Sequence, residues 1–322
     1  MNILILSCGT RNLLVEYFRK SFDQVVGTDC SPLAPALYVC SSYYIVPRMN
    51  TKTYLPVLLD ICKKEQIDAV LPLQEDELQL IAENRNIFEA EGIKAIVSDG
   101  KLISLCRDKY AFYKFLCKND LPTIKTWKDY STFQKDLRYG RVDFPVFVKP
   151  RDGMGSEDIG KIYSPEDLRQ RCVNNTNLLI QEFCDGEEYG ADIFCDINTG
   201  ELVDISVKKK IRMRAGETEK AVSVESVEVD SLIERAVKAM KPIGEIDMDL
   251  FYKDNQWYIS EVNPRFGGGF PHSYLYGMNV PRYICDNLAG KQCYKPERTQ
   301  RKQIYTMKYS NILSINADEF GK

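Results

Sequence analysis

The order of apolar and polar residues divides the first hundred positions into alternating strands and helices. Short apolar runs predict strands, and stretches with apolar residues on one helical face predict helices. The predicted strands are Asn2–Ser7, Gln24–Asp29, Ala69–Leu73 and Lys94–Val97, and the predicted helices span 11–21, 54–65 and 75–90. Because strands that alternate with helices form a parallel sheet covered on both faces, residues 1–100 are predicted to be a Rossmann-like α/β domain.

Two further units follow, at 101–185 and 186–322, and their pattern is α+β. The second unit is predicted to contain helices at 108–118 and 165–172 and strands at 145–150 and 178–183. The third is predicted to contain strands at 189–196, 202–208 and 304–309, a helix at 231–240, and a hairpin. A chain of 322 residues is long enough for two or three such lobes.

The hairpin is the most informative segment. Two short apolar runs are joined by the polar turn 253–256 within the sequence IDMDLFYKDNQWYISEVNPRFGG. Side chains alternate across a strand, so Glu261 and Asn263 share one face, and strand pairing brings Asp249 onto that face. Two carboxylates and an amide oxygen are ligands suited to Mg²⁺, which usually keeps several waters and is held together with phosphates.

Composition and charge narrow the class of protein. The net charge of −3 gives no reason to expect nucleic acid or a membrane as a partner. The eleven cysteines show no metal-like spacing, which favours free thiols and a cytoplasmic location. His272 is the only histidine, so a Ser-His-Asp hydrolase or a zinc enzyme is nearly excluded.

Several segments upstream of the hairpin are candidates for binding phosphate. Lys149 ends a predicted strand and precedes the glycine-bearing loop Arg151–Ser156, whose backbone N–H groups can approach an anion closely. This is not a Walker A motif, because no Gly-Lys-Ser/Thr closes the loop. The basic run Lys208–Arg214 is either a solvated face or a clamp for polyphosphate or an anionic substrate.

Two acidic positions have competing interpretations. The strand over Ile180–Cys184 ends in backbone that suits an adenine edge, and Glu188 either accepts from ribose hydroxyls or lies in an ordinary surface turn. Asp29 ends the second strand, where a dinucleotide-binding fold places its ribose-binding acid. The first turn, Cys8–Asn12, has one glycine instead of three, which makes nicotinamide binding improbable and favours a scaffold that contributes to a substrate pocket.

The succession of these segments resembles the ATP-grasp superfamily, and within it the carbamoyl-phosphate-synthetase-like carboxylate–amine ligases. The resemblance covers nearly the whole chain and is most specific at VKPRDGMGS, IQEFCDGEEYGAD and DMDLF…ISEVNPRFGGG. Residues 1–100 look like the family's pre-ATP-grasp domain, 101–185 like its small lid subdomain, and 186–322 like its C-terminal subdomain.

The resemblance also implies roles for individual residues. ATP and Mg²⁺, with Mn²⁺ as a substitute, are the implied cofactors. The implied nucleotide-binding residues are Lys109, Lys149, Gly153, Gly155, Ser156, Glu182, Phe183, Cys184 and Glu188. Asp249, Glu261 and Asn263 are the implied metal ligands, although Asp249 stands where the family usually has Glu or Gln. The implied catalytic residues are Arg265 and Lys149, and Arg212 of the basic run is a third catalytic candidate.

The implied reaction is ligation: a small carboxylate is activated as an acyl phosphate and coupled to an amine or a similar nucleophile, with release of ADP and phosphate. Phosphoryl transfer requires chiefly that the protein position the reacting groups and stabilise their charge. This is consistent with the lack of an evident nucleophilic side chain. Alternatives are an ATP-binding module without ligase activity, a kinase of a small carboxylate, and a nicotinamide-dependent oxidoreductase. The expected partners are small molecules, and the resemblance allows a homodimer.

Overall fold

The fold consists of three β-sheets that follow one another along the chain. The structure is a computed structural model and describes residues 1–152, 159–214, 216–293, 301–318 and 320. The first sheet has five strands, the second has four and the third has six. The predicted parallel sheet of residues 1–100 is confirmed, and the α+β pattern predicted for the two units that follow is seen in their antiparallel sheets and helices.

The first sheet is parallel throughout, with strand order β3-β2-β1-β4-β5. Its strands are β1 (Asn2–Leu6), β2 (Gln24–Asp29), β3 (Ser42–Ile45), β4 (Ala69–Pro72) and β5 (Lys94–Ala95). Its helices are α1 (Asn12–Arg19), α2 (Tyr54–Lys64), α3 (Glu75–Glu83), α4 (Arg85–Ala90) and α5 (Gly100–Arg107), with a 3₁₀ helix at Pro35–Val39. The chain leaves β1 toward β2 on one side and reaches β4 on the other, so the topological switch point lies between β1 and β4.

Both faces of this sheet are apolar, because helices cover both. Ile3 and Ile5 of β1 pack on one side with the core around α1, while Leu4 and Leu6 pack on the other with the core around α2 and α3. All four side chains are fully buried. This explains why β1 is a continuous apolar run, as expected of a parallel strand covered on both faces.

The helix predicted over 75–90 is two helices. Asn84 separates α3 from α4, and its side-chain amide donates to the carbonyl of Leu80 at 2.8 Å. Asparagine side chains compete with the backbone for such hydrogen bonds, which makes asparagine a frequent residue at helix ends. The prediction of a single helix was wrong for this reason.

The second sheet is small and antiparallel, with strand order β6-β9-β7-β8. Its strands are β6 (Thr126–Trp127), β7 (Val146–Pro150), β8 (Gly160–Ile162) and β9 (Leu178–Glu182). The helices of this region are α6 (Lys109–Lys118), α7 (Tyr130–Arg138) and α8 (Pro165–Asn174). Val146 and Val148 pack into a core with Phe133 and Leu168, so alternation along β7 turns Phe147 and Lys149 to the other face.

The third sheet is antiparallel, with strand order β14-β13-β10-β11-β12-β15. Its strands are β10 (Glu187–Cys195), β11 (Leu202–Arg214), β12 (Glu217–Val224), β13 (Gly244–Lys253), β14 (Gln256–Asn263) and β15 (Tyr305–Met307). The remaining helices are α9 (Val227–Met240), α10 (Phe270–Leu275) and α11 (Val280–Leu288). One face of the sheet packs against α9 through apolar residues such as Ile193, Val207 and Met248.

Two general properties accompany this fold. All eleven cysteines are free thiols. Within the part of the chain that the structure describes, no helix combines the length and apolar character needed to cross a bilayer.

Candidate functional site

A large cavity between the three sheets is lined by residues from all of them. Its volume is about 1110 Å³. Its walls come from the segments that follow β1 and β4 of the parallel sheet, from the inner faces of β7 to β9, and from the face of the third sheet opposite α9. Ligand sites generally form in such concave regions between structural units. The cavity is therefore the candidate site.

The face of the third sheet that lines the cavity is charged, because side chains alternate along its strands. Lys208 and Lys210 of β11 and Asp247 and Asp249 of β13 line the cavity, whereas the intervening apolar residues Val207, Ile246 and Met248 pack in the core on the other face. Gly190 of β10 lies between these two pairs of charges, and a Cβ there would lie 3.2 Å from Cε of Lys210. The absent side chain lets Lys210 reach across β10 to form an ion pair with Asp249.

The predicted hairpin forms with the predicted turn. Asp254 and Asn255 connect β13 to β14, both with positive φ, 50° and 60°, as a two-residue hairpin turn of type I′ requires. Asp249 pairs directly with Glu261 across the hairpin. Asn263 pairs with a fourth polar residue, Asp247, and its amide donates to that carboxylate at 3.4 Å. The hairpin thus brings all three sequence-predicted metal ligands to one wall of the cavity.

The donor set of this wall fits a hard cation. Asp249 and Glu261 offer carboxylates and Asn263 an amide oxygen, and Mg²⁺ is commonly held by one or two carboxylates together with phosphates. Among the residues that the structure describes, no group of three His, Cys, Asp or Glu side chains forms a ready-made metal cage. The third predicted ligand is an asparagine, and the carboxylate of Asp249 is engaged by Lys210.

Lys149 faces this hairpin from β7 and is only 8% exposed. Burial lowers the pKa of its ammonium, and the charge of Lys109 lowers that pKa further, while Glu261 and Asp249 oppose the shift. Lys149 makes no ion pair with any residue in the described ranges. Lys109, at the start of α6, lines the same cavity. The structure therefore brings both predicted lysines together opposite the hairpin.

The predicted adenine-binding segment lies on the wall formed by β9. Glu182, Phe183, Cys184 and, on β10, Glu188 all line the cavity. Lys161 of β8 also lines it and lies 3.7 Å from the ring centroid of Phe183, a cation–π contact. Sequence analysis did not single out Lys161. The sequence signal for Lys161 was the alternation along β8, which places it on the face opposite the buried Ile162.

Gly153, Gly155 and Ser156 lie outside the described residues. Before them, the loop is tied to the start of α6, because Arg151 donates two hydrogen bonds to Asp108, at 3.0 and 2.6 Å. The backbone N–H of Lys109 also donates to the carbonyl of Arg151 at 3.0 Å. These contacts hold Lys109 beside the strand that carries Lys149.

Arg212 does not line the cavity. Simple alternation from Lys208 and Lys210 would turn it inward, but the register of β11 shifts on both sides of Arg212. A β-bulge redirects the side chains that follow it. The guanidinium of Arg212 is 62% exposed and pairs with Glu219 of β12, while Met213 takes the cavity-lining position.

Arg265, by contrast, lies where the lobes meet. Its guanidinium donates to Glu75 of the first lobe at 3.0 Å and lies 3.9 Å from Asp247. Arg11, which follows β1, lines the same end of the cavity. We call this region, defined by Arg11, Glu75, Glu217, Asp247 and Arg265, the substrate end. Sequence analysis missed Arg11, Glu75 and Asp247 as site residues.

The run Gly267–Gly269 makes room for the charges of the substrate end. A Cβ at Gly267 would lie 2.5 Å from Cγ of Asp247, and one at Gly269 would lie 2.6 Å from Cε of Lys208. Both distances are shorter than side-chain packing allows. The glycines are therefore needed for the close approach of two charged side chains to the backbone.

Behind the cavity wall lies a buried polar cluster formed by Asp192, Lys208, Glu245, His272 and Ser273. Asp192 is fully buried and accepts from both Lys208 and Ser273. Both carboxylate oxygens of Glu245 lack a hydrogen-bond partner, and burial, together with the charge of Asp192, raises the pKa of Glu245 well above its usual value. Lys208 is the cation that offsets this buried acidity.

His272 should stay neutral well into the acid range. Burial lowers the pKa of its imidazole to about 4, and the charge of Lys208 acts in the same direction. Because the folded pKa lies below the usual 6.5, the folded state loses stability as pH falls from 6.5 toward 4, where the unfolded chain binds the additional proton.

An NMR titration of the imidazole resonances can measure this pKa without assignment, since the chain contains one histidine. Thr306→Val, which removes the hydroxyl 2.7 Å from Nδ1, serves as a comparison variant. A midpoint near 6.5 in the wild-type protein would contradict the buried environment.

The sequence matches known families over most of its length. A profile described as a PylC-like N-terminal domain matches residues 3–96, and one described as an ATP-grasp domain matches residues 106–269. A carbamoyl-phosphate synthase of Methanobrevibacter smithii is 26% identical over 329 residues, which cover 95% of this chain and 85% of that protein.

Other relatives match over a smaller share of their own length. The carbamoyl phosphate synthase large chain of Pseudothermotoga lettingae is 23% identical over 287 residues, 82% of this chain and 26% of that protein. A putative D-alanine–D-lactate ligase of Streptomyces coelicolor is 26% identical over 221 residues, 62% of this chain and 63% of that protein. The chain thus spans about a quarter of the first relative and less than two thirds of the second.

Solved structures share the fold at low sequence identity. The biotin carboxylase domain of 2-oxoglutarate carboxylase from Hydrogenobacter thermophilus, in complex with MgADP, has a TM-score of 0.74 at 16% identity and covers 94% of this chain and 73% of its own. N5-carboxyaminoimidazole synthetase from Staphylococcus aureus, complexed with ADP, has a TM-score of 0.71 at 16% identity and covers 90% and 78%. With the domain profile spanning residues 106–269, these findings show that the chain belongs to the ATP-grasp family.

Proposed function

We propose that this protein is an ATP-dependent, ADP-forming ligase that activates a small carboxylate as an acyl phosphate and couples it to an amine or a similar nucleophile. The observation that carries the proposal is the convergence of Lys109 and Lys149 with the Asp249–Glu261–Asn263 hairpin in one cavity. These groups come from helix α6, from β7 of the second sheet and from the hairpin of the third sheet. Cations opposite an acidic, oxygen-rich wall suit a magnesium-bound polyphosphate.

In this proposal the chain's own residues position and neutralise charge. Lys109 and Lys149 pair with phosphate oxygens, and the β9 segment with Glu182, Phe183 and Cys184 receives the adenine, with Glu188 on the ribose. Asp249, Glu261 and Asn263 hold Mg²⁺, for which Mn²⁺ is a substitute. The bound metal supplies neutralisation of phosphate charge during phosphoryl transfer. Arg265, at the substrate end, faces the carboxylate that accepts the phosphoryl group.

The charged groups of this site fit a nucleotide and a metal ion. Lys149 is a buried ammonium without an ion-pair partner among the described residues, and such a charge is costly unless an anion binds it. On the other wall, Lys210 engages Asp249. Entry of a divalent cation gives Asp249 an oppositely charged partner, and entry of phosphates gives one to Lys149 and Lys210.

We further propose the division into a pre-ATP-grasp domain at 1–100, a lid subdomain at 101–185 and a C-terminal subdomain at 186–322. The break between the first and second sheets, from β5 to β6, and that between β9 and β10 support it. The glycine loop 153–156 is assigned to cover the phosphates.

The free thiols support a cytoplasmic location. Small-molecule substrates and a homodimer complete the proposal.

An ADP-release assay tests the proposed reaction. Purified protein is given MgATP with amino acids and small carboxylates, each alone and in pairs, and ADP, AMP and phosphate are quantified. A ligase forms ADP and phosphate in equal amounts only when both substrates are present. ADP formation with one carboxylate alone would indicate a kinase, and nucleotide binding without turnover under any condition would indicate a binding module.

A further inference from the structure

We propose that Arg11 binds a carboxylate of the substrate at the topological switch point of the first sheet, so that one substrate is an amino acid. The inference rests on the proposed function, because it assigns the end of the cavity that the nucleotide would leave open. Among the described residues, Arg11 has no ion pair and no side-chain hydrogen bond, although it is partly buried and lines the cavity.

The position of Arg11 in the fold is the first argument. Arg11 follows β1 and Glu75 follows β4, the two neighbouring strands on either side of the switch point. In open α/β sheets, ligands bind in the crevice beyond the carboxyl ends of the strands at this point. Both residues line the common cavity, so the crevice opens into the site instead of into solvent alone.

The turn that carries Arg11 is held in a demanding conformation. Ser7 has a positive φ of 49°, which is unfavourable for a residue other than glycine. Its hydroxyl donates to Glu77 at 3.0 Å, and the backbone N–H of Gly9 donates to Asp29 at 2.9 Å. Backbone strain of this kind persists where the surroundings impose it, commonly at binding sites. Here the fixed turn aims Arg11 at the cavity.

Asp29 is thereby given a structural role. One of its carboxylate oxygens accepts from Gly9 and the other from the N–H of Ser31, at 2.9 Å each. Both oxygens are therefore used by the backbone of neighbouring turns. In a dinucleotide-binding fold the acid at this position binds ribose. In this protein, Asp29 instead supports the turn that presents Arg11.

The charges around Arg11 identify the class of ligand. Arg265 is already paired with Glu75, and Lys208 with Asp192, so Arg11 is the cation of the substrate end that lacks a partner among described residues. Glu217 and Asp247 act electrostatically on Arg11, and the charge of Arg265 opposes them. Glu217 also pairs with Lys308 at 2.7 Å, through a side chain that is 46% exposed. A ligand with one carboxylate and one ammonium meets an opposite charge for each. An amino acid has this combination, whereas a simple amine leaves Arg11 without an anion.

The test compares an amino acid with its decarboxylated amine. The ADP-release assay with the twenty protein amino acids, alone and in pairs, selects an active amino acid, and the amine that lacks its α-carboxylate is then assayed. We expect the wild-type protein to prefer the amino acid by roughly 10- to 100-fold in kcat/KM, the value of hydrogen bonds to a charged group. In Arg11→Gln the KM for the amino acid rises by about that factor, kcat changes little, and the preference over the amine disappears.

Three further measurements make the outcome decisive. Arg11→Lys, which keeps the charge, should recover part of the KM effect. Arg19→Gln, at an exposed arginine at the end of α1, should behave as wild type. Calorimetry should show unchanged MgADP binding in Arg11→Gln.

The failures are distinguishable. If MgADP does not bind to the wild-type protein, the proposed ligase fails and this inference falls with it. If MgADP binds but no amino acid supports ADP formation, or Arg11→Gln retains the wild-type preference for the amino acid, the assignment of Arg11 is overturned while the proposed function stands.

Discussion

Lys149→Met should lower the rate of ADP formation by about 10²–10³-fold, the usual effect of removing one group that stabilises transition-state charge. The folded protein should lose little or no stability. Burial lowers the pKa of Lys149, which means that the ammonium form is disfavoured at its place in the fold. Methionine keeps the apolar stem of the side chain and removes the buried charge.

The experiment pairs a kinetic and a stability measurement. ADP formation is followed with saturating substrates, and the free energy of unfolding is measured by urea titration. Lys135→Met, at an exposed lysine on α7, is the matched control. Glu261→Gln, which removes one charge from the opposite wall, should also lower turnover strongly. Wild-type turnover in both Lys149→Met and Glu261→Gln would rule out the proposed site.

Lys208→Met should lower the free energy of unfolding by about 3–5 kcal/mol, the usual cost of removing one partner of a buried ion pair. Lys208 is 1% exposed and Asp192 is fully buried, so the variant leaves Asp192 and its neighbour Glu245 without their buried cation. Removing both charges in the double variant Asp192→Asn/Lys208→Met should restore most of the loss, because the buried ion pair is then removed as a whole and no unpaired charge is left at position 192.

The adjacent residue of the same strand supplies the control. Lys209 pairs with Glu187, but its side chain is 36% exposed and the partner is 52% exposed. Exposed pairs contribute about 0–1 kcal/mol, so Lys209→Met should change stability little. Equal losses in Lys208→Met and Lys209→Met, measured by urea unfolding at neutral pH, would contradict the description of the cluster.

The hairpin shows what local sequence can predict. A two-residue polar turn between alternating runs determines the register next to it, from Lys253–Gln256 to Leu250–Ile259. A register shift between Leu250 and Asp249, which the local pattern does not predict, then pairs Asp249 with Glu261. The parallel sheet of the first lobe could also be predicted from the sequence, since apolar runs alternate with amphipathic stretches. Helix α7 was missed, although Asp129 caps it by accepting from the N–H of Thr132, a pattern that sequence can carry.

The substrate end depends on how the lobes pack. Arg11 and Glu75 each follow a strand of the first sheet, and no local pattern indicates that both approach Arg265 of the third region. Asp247 could have been found, because it precedes Asp249 by two positions on the same strand face. Arg212 was assigned to catalysis from the basic run alone. The bulge that turns it outward has no glycine or proline to mark it.

Magnesium-dependent binding of adenine nucleotide is the central claim of this account. Isothermal titration calorimetry of ADP into the purified protein, with Mg²⁺ and then with EDTA, measures it directly. We expect one nucleotide per chain with Mg²⁺, and much weaker binding with EDTA or in Glu261→Gln. Absence of binding, or binding of equal strength with and without the metal, would contradict the assignment of the hairpin and its facing lysines.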